Sequence, residues 1–204
     1  MTFMPEIATE TPAEPWMQTC SGRVWSLLQP APEQVWWPDI AEHLAKINRF
    51  LGATPGTVYS VAQHCCLVAD ILPPELRAYG LLHDAPEAFI ADIPTPAKRA
   101  LKRLGAEHAL WRLDDLQAQA IHAAANLPYP LSVADHGAVK HADLVLLATE
   151  RRDLQVECRA PWQRPLPAPL TRRITPWPWA KAADEWLTRL YRWVPAAERQ
   201  RRSA

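Results

Sequence analysis

The placement of proline is the feature that most constrains what this chain can fold into. Proline lacks a backbone N–H and disfavours helical geometry in the residue before it, so helix interiors exclude it. Of the 21 prolines, six lie within residues 1–38 and six more within residues 161–178. The stretch between these ends is rich in Ala and Leu, and its prolines are on average more widely spaced than those at the ends. This pattern predicts a helical centre with irregular terminal arms.

Apolar residues in the central stretch recur every three or four positions, as they do on the buried face of an α-helix. This spacing predicts a first helix that runs up to Gly52, with the apolar positions Ile40, Leu44, Ile47 and Leu51. Further helices are predicted after Ser60, which begins a Ser-x-x-Gln capping pattern, after Ser132, and over residues 107–125 and 179–193. No stretch alternates as a strand would, so the predicted fold class is all-α.

Composition excludes several classes of protein. The 22 Lys and Arg balance the 22 Asp and Glu, which argues against a general nucleic-acid binder, and 49% hydrophobic residues exclude wholesale disorder. No apolar run reaches the roughly 18 residues that a membrane span needs, and the N-terminus lacks the pattern of a signal peptide. The four cysteines show no C-x-x-C spacing. We therefore predict a cytoplasmic protein with reduced thiols.

The aromatic and imidazole residues divide the chain into three parts. Nine of the ten tryptophans lie outside the central stretch, whereas all seven histidines lie inside it. We predict an N-terminal Pro/Trp-rich arm over residues 1–38, a helical core over residues 39–158, and a Pro-rich segment with a C-terminal helix over residues 159–204. The tryptophans are predicted to pack the arms onto the core, with an aromatic docking surface as the alternative. The charged run Glu150–Asp153 is predicted to be solvated.

Two histidines and two aspartates form a candidate metal-ligand set. His83 and Asp84 follow an apolar helical segment, His64 lies on the helix after Ser60, and Asp143 opens an apolar run. A buried carboxylate is costly unless it is paired or bound to a metal. Two imidazoles and two carboxylates can ligate one divalent cation, and an octahedral ion would keep two further positions for water and a phosphate oxygen.

The order His, His-Asp, Asp resembles the H…HD…D pattern of the HD-domain metal-dependent phosphohydrolases. Within that superfamily, the chain is most like bacterial 5′-deoxynucleotidases and is similar to related phage enzymes that hydrolyse deoxyadenosine triphosphate. The resemblance covers residues 39–153, and Gln63 departs from it because glutamate is usual there. The strings that carry it are Asn48-Arg49-Phe50, Ser60-Val61-Ala62-Gln63-His64, His83-Asp84-Ala85-Pro86-Glu87, Asp92-Ile93-Pro94-Thr95-Pro96-Ala97-Lys98 and Lys140-His141-Ala142-Asp143.

The resemblance implies an HD-type helical bundle that holds one divalent metal on His64, His83, Asp84 and Asp143. The identity of the metal stays open among Co, Mn, Zn, Ni, Fe and Mg. The resemblance also implies a catalytic role for Glu87, which lies three residues after Asp84. Its carboxyl group would orient or deprotonate a metal-bound water, or protonate the leaving oxygen. The alternative for Glu87 is a solvated surface side chain.

Four further residues are expected to contact the substrate. Arg49 offers a planar fork of donors for phosphate oxygens, and Phe50 is placed to stack on sugar or base. Asp92 is expected to accept a hydrogen bond from a 3′-hydroxyl, and Lys98 is a second cation for phosphate. Each has a structural alternative: a surface arginine, a core aromatic, a loop aspartate and a lysine at a helix start.

The expected activity is removal of the 5′-phosphate from deoxynucleoside monophosphates. One alternative is a deoxynucleoside triphosphate triphosphohydrolase that uses the same site, and another is a non-catalytic nucleotide-binding protein. A small-molecule deoxynucleotide is the expected partner, membranes and nucleic acid are not, and a homodimer or higher homo-oligomer is expected. The other histidines are predicted to be ordinary helix or surface residues. Cys65 and Cys66 are predicted to be core residues that point away from the face of His64.

Overall fold

The structure, a computed structural model, describes residues 14–160, 162 and 165–203, and most of this part is helical. Residues 1–13 of the predicted N-terminal arm and residues 161, 163, 164 and 204 of the C-terminal part lie outside the described residues. Two strands come first, β1 (Trp16–Gln18) and β2 (Val24–Ser26). The helices are α1 (Trp37–Lys46), α2 (Val61–Asp70), α3 (Arg77–Leu82), α4 (Glu87–Ile90), α5 (Thr95–Arg103), α6 (Glu107–Ala124), α7 (Val133–Leu154), α8 (Trp179–Trp193) and α9 (Pro195–Ser203).

The predicted helices over residues 107–125 and 179–193 are confirmed as α6 and α8. The all-α prediction holds apart from one short hairpin. Within the described residues, no helix combines the length and the apolar character that crossing a bilayer requires.

The hairpin in the N-terminal arm was not predicted, because strands of three residues are too short to show a period of two. β1 and β2 pair antiparallel, with Met17 opposite Trp25. Trp25 is fully buried and stacks on Phe89 of α4, with ring centroids 3.8 Å apart. Its indole N–H donates to Oε1 of Gln117 on α6 at 2.6 Å. One tryptophan therefore anchors the arm to two core helices.

The first helix ends earlier than its apolar spacing predicts. α1 stops at Lys46, and the chain continues in extended geometry. The Arg49 N–H donates to the Tyr59 carbonyl at 2.9 Å, and the Val61 N–H donates to the Ile47 carbonyl at 3.1 Å. These long-range backbone bonds replace the helical ones, so the prediction of helix up to Leu51 is wrong. The turn carries the Arg49 side chain into the protein, where it is buried.

The centre of the core lies between α1, α2 and α8, and α7 also packs against α2. Trp37 and Trp186 are fully buried there, and the Trp186 indole N–H donates to the Leu81 carbonyl at 3.3 Å. Trp25 and Trp186 thus confirm that tryptophans pack the terminal parts onto the core. A second apolar cluster joins α2, α3 and α7. Through these contacts, α2 becomes the shared neighbour of the elements that carry the candidate site.

Serine caps begin two of the site helices, as predicted. The hydroxyls of Ser60 and Ser132 each accept a hydrogen bond from the backbone N–H three residues later. The Gln63 side chain does not complete a capping box. Its amide donates to the Thr175 carbonyl at 2.9 Å and accepts from the Trp177 N–H at 2.7 Å. Gln63 therefore fixes the segment before α8 against the start of α2.

We predict that Gln117→Ala lowers the free energy of unfolding by about 1–3 kcal/mol, because the Trp25 indole N–H would be buried without an acceptor. The control is Gln119→Ala on the same helix, where the side chain is exposed and a change within about 0.5 kcal/mol is expected. Denaturant unfolding followed by circular dichroism measures both. Equal stability of the two variants would show that the hairpin is not anchored through this bond.

Candidate metal centre

The fold brings together the four predicted ligands from three separate parts of the chain. His64 lies in the first turn of α2, His83 and Asp84 directly follow α3, and Asp143 lies within α7. Both α3 and α7 pack against α2. Helix packing thus converts ligands that are far apart in sequence into one cluster.

The side-chain donor atoms of this cluster converge on one point. His64 Nε2 lies 3.3 Å from Asp143 Oδ1 and 3.5 Å from Asp84 Oδ2. His83 Nε2 lies 3.1 Å from Asp84 Oδ2, and the two Nε2 atoms are 3.3 Å apart. A metal ion with ligands at about 2.1 Å keeps neighbouring ligand atoms roughly 3 Å apart. The spacing of these atoms therefore suits a single small cation.

The tautomers of both imidazoles support the same conclusion. His83 Nδ1 lies 2.8 Å from the Gly80 carbonyl, and His64 Nδ1 lies 2.6 Å from Glu150 Oε1. Because both partners are acceptors, both Nδ1 atoms carry the proton. In the neutral rings, the two Nε2 lone pairs then face each other. A cation between them removes their repulsion, so this donor set fits a divalent metal.

The charges around the cluster favour the presence of positive charge within it. Burial and Arg49 act to lower the pKa of His64, but Glu150 and Asp143 outweigh them and raise it to about 9. At His83, burial again acts to lower the pKa, but the charge and hydrogen bond of Asp84 outweigh it and raise the pKa to about 10. Despite burial, the imidazoles hold the pKa values of Asp84 and Asp143 below the usual range. In the metal-free protein, protons on the imidazoles balance these carboxylates, which is the charge that a bound cation would supply.

Glu150 is a site residue that the sequence reasoning missed. It is completely buried, so the prediction that the Glu150–Asp153 run is solvated is wrong at its first position. Its Oε1 accepts from His64, and its Oε2 lies 3.4 Å from Arg49 Nε. Glu150 lies two helical turns after Asp143, on the same face of α7. That spacing is the signal that could have found it.

Arg49 lies between the candidate ligands and Glu150. Its Nη1 is 3.3 Å from Asp84 Oδ2, and the guanidinium lies 5.5 Å from the centroid of the Phe50 ring. The side chain is only 8% exposed, yet its positive charge is balanced by two carboxylates. Arg49 is therefore an oriented buried cation beside the cluster, whereas Phe50 is only partly buried.

Glu87 and Asp92 lie next to the cluster, at the start of α4 and in the loop after it. Glu87 is buried, and its Oε2 has no hydrogen-bond partner in the described part of the chain. Burial raises the pKa of Glu87 well above its usual range, and the charges of Asp84 and Asp92 add to the rise. Burial also raises the pKa of the half-buried Asp92, against the effect of Arg49. Lys98 is exposed on α5, and its charge acts on both carboxyl groups.

Cys65 is fully buried in the core, as predicted. Donor atoms of Cys65, His83 and Asp84 all lie within 4.8 Å of one another, so the sulfur also lies beside part of the cluster. Burial raises the pKa of the Cys65 thiol to about 12. The thiol is therefore neutral at the edge of the metal-free cluster.

The remaining histidines differ in their surroundings. His108, His136 and His141 are exposed, as expected for helix or surface residues. His122 is buried instead, and its Nδ1 donates to the Ala118 carbonyl at 2.8 Å. Its ring stacks on Tyr79, with ring centroids 5.8 Å apart, and lies tilted against Tyr129, with centroids 4.8 Å apart.

Comparisons with known proteins give two relatives. No model of a known protein family matches the chain. It is 40% identical to the uncharacterized protein YfdR of Escherichia coli K12 over 124 residues, which are 61% of this chain and 64% of YfdR. It is 35% identical to the uncharacterized protein RCAP_rcc00048 of Rhodobacter capsulatus over 147 residues, which are 68% of this chain and 72% of that protein. The match therefore spans less than two thirds of YfdR.

We predict that Glu150→Ala lowers the free energy of unfolding by roughly 3–5 kcal/mol, because the buried Arg49 loses one of its two carboxylates and the buried His64 Nδ1–H loses its acceptor. Glu150→Gln, which keeps an acceptor for His64, is expected to lose less. The matched control is Glu157→Ala, an exposed glutamate just beyond α7. Urea denaturation of the metal-free proteins compares the three. A loss in Glu150→Ala no larger than in Glu157→Ala would contradict the contact network.

Proposed function

We propose that this chain, which belongs to the family of the Rhodobacter capsulatus protein RCAP_rcc00048, is an HD-type metal-dependent phosphohydrolase that removes the 5′-phosphate from deoxynucleoside monophosphates. The observation that carries the proposal is the convergence of two imidazole nitrogens and two aspartates beside a buried arginine and the buried Glu87, whose Oε2 has no hydrogen-bond partner among the described residues. Metal ligands, an acid and a phosphate-binding cation are the parts that phosphate ester hydrolysis requires.

His64, His83, Asp84 and Asp143 would hold one divalent cation. When bound, such an ion polarises a phosphate oxygen and makes a coordinated water nucleophilic near neutral pH. The protein's part is to keep the donors in place. Glu150 holds the His64 ring and the Gly80 carbonyl holds the His83 ring, so that the two Nε2 atoms point towards the same place. The rings would therefore need little reorientation to bind a cation.

Arg49 would bind the phosphate through its planar fork of N–H donors. Because Asp84 and Glu150 already hold this guanidinium, little side-chain entropy is lost when a phosphate arrives. Its charge stabilises the negative charge that develops on the phosphoryl oxygens. Lys98 on α5 is a more distant cation for the same ligand.

Glu87 would act as the general acid. Burial and the neighbouring carboxylates favour its protonated form. A protonated carboxyl group can donate to the 5′-oxygen of the sugar as the bond between phosphorus and that oxygen breaks, so the leaving group departs as a neutral alcohol. This assignment favours protonation of the leaving oxygen over deprotonation of water, the other role that the resemblance allows.

The test is incubation of the purified chain with single deoxynucleoside monophosphates, ribonucleoside monophosphates and deoxynucleoside triphosphates, each with Mn²⁺ or Co²⁺ and with a chelator. We expect metal-dependent release of inorganic phosphate from the deoxynucleoside monophosphates. Release of intact triphosphate would support the triphosphohydrolase alternative. Saturable nucleotide binding without any product would support a non-catalytic binding protein.

We predict that Glu87→Gln lowers kcat at least about 100-fold and keeps the metal, because it removes a positioned acid that is not a ligand. Asp143→Asn is expected to lose both metal and turnover. Metal content after gel filtration and the rate of phosphate release measure the two effects. The control is the exposed Glu75→Gln. Normal turnover in Glu87→Gln would remove this residue from the mechanism.

We predict a preference for deoxynucleotides that depends on Asp92. Asp92 is half-buried in the loop between α4 and α5, where Pro94 restricts the backbone, and its carboxyl group would accept a bond from the 3′-hydroxyl. Asp92→Asn should lower kcat/KM for the deoxy substrate and shrink its ratio to the matched ribonucleotide. Asp184→Asn, an exposed aspartate on α8, is the control. An unchanged ratio in Asp92→Asn would place the sugar contact elsewhere.

A further inference from the structure

A cavity of about 290 Å³ opens beside the candidate metal centre, between α4, α5 and α6. We propose that it holds the aromatic base of the substrate, stacked on the indole of Trp111. This inference rests on the proposed function, because it assigns the place of the leaving nucleoside. It also names the class of ligand that the cavity takes, which is a flat, uncharged heterocycle.

Glu87 links the cavity to the cluster. Its side chain lines the cavity wall, and its buried Oε2 has no hydrogen-bond partner among the described residues. The charge of Asp84 acts on Asp114, which lies on the cavity wall. A general acid must lie within hydrogen-bond distance of the leaving oxygen as the bond from phosphorus to that oxygen breaks. With the phosphate at Arg49 and the 5′-oxygen at Glu87, the rest of the nucleoside extends into this cavity.

Trp111 supplies the stacking surface. It is the one tryptophan in the central part of the sequence, and it is 57% exposed. The other apolar side chains of the wall are Ile90, Ile93 and Leu110. Packing of the core does not account for an indole that remains this exposed. An exposed indole beside branched aliphatic side chains offers a flat apolar face on which any base can stack.

The charges around the cavity favour a neutral ring over a polyphosphate. Three cations, Lys98, Arg99 and Lys102, share the wall with the acidic residues Glu107 and Asp114 and with Glu87, the proposed protonated acid. Lys102 already donates to Glu107 Oε1 at 2.7 Å. A polyphosphate would meet these acidic groups and would have to displace that contact. A neutral heterocycle keeps the existing ion pair.

The volume also suits a single base. Small-molecule sites commonly measure about 300–1,000 Å³, and this cavity is at the lower limit. One ring system fits such a space, whereas a dinucleotide or a longer strand does not. The cavity therefore points to a mononucleotide whose base makes apolar contacts without a dense set of hydrogen bonds.

The test compares 2′-deoxyadenosine 5′-monophosphate with 2-deoxyribose 5-phosphate, which lacks the base. In the metal-loaded wild-type chain, kcat/KM should favour the nucleotide. In Trp111→Leu, the ratio of the two kcat/KM values should fall about tenfold, which is within the range for loss of one stacking contact. Trp111→Phe should restore most of it. Trp179→Leu, which removes an equally exposed tryptophan on α8, should leave the ratio unchanged. A ratio that survives in Trp111→Leu would overturn the proposal.

Calorimetric titration with 2′-deoxyadenosine separates this inference from the proposed function. Binding that weakens about tenfold in Trp111→Leu, in a chain that cleaves no phosphate ester, would refute the phosphohydrolase and keep the base site. Turnover with equal nucleotide preference in wild type and Trp111→Leu would keep the phosphohydrolase and refute the base site. Neither turnover nor nucleoside binding would refute both.

Discussion

The contact between the Glu150 carboxylate and the His64 imidazole is the interaction on which the candidate site depends. Both side chains are fully buried, and the acceptor lies 2.6 Å from Nδ1. This single bond sets the tautomer of His64, joins α7 to α2, and balances the charge that Arg49 brings into the interior. Burying these charged groups carries a penalty in desolvation free energy, which only close pairing can offset. Glu150 offsets this penalty by pairing with two groups, His64 and Arg49.

The parts of the fold that could be predicted from sequence are those governed by local signals. Ser60 and Ser132 mark helix starts because their hydroxyls satisfy backbone N–H groups, and that chemistry needs no distant partner. The end of α1 was missed for the opposite reason. The apolar spacing continues through Leu51, but the backbone of Arg49 bonds to Tyr59, ten residues away. Tertiary pairing outweighed the helical pattern there, and a single sequence carries no sign of it.

A similar division holds within the candidate site. His64, His83, Asp84 and Asp143 could be proposed because imidazole and carboxylate groups are metal ligands and because their order in the chain resembles the HD-domain pattern. Glu150 could not, since a glutamate followed by two arginines and an aspartate has the composition of a solvated helix end. Only tertiary packing decides which members of the run are covered: Glu150 is buried, and the Asp153 side chain, 2% exposed, accepts from the Ile174 N–H. The closeness of Cys65 to His83 could not be predicted for a related reason, because the tertiary packing of the chain after α3 sets that distance.

The two hydrogen bonds that Gln63 makes to the backbone at residues 175 and 177 bear on how the protein is made. The helix that carries His64 is synthesised early, yet the strand of chain that closes over its first turn emerges more than a hundred residues later. The ribosome must therefore synthesise residues 175–177 before the first turn of this helix acquires these neighbours. A nascent chain that stops before residue 175 leaves the Gln63 amide without both of these backbone partners.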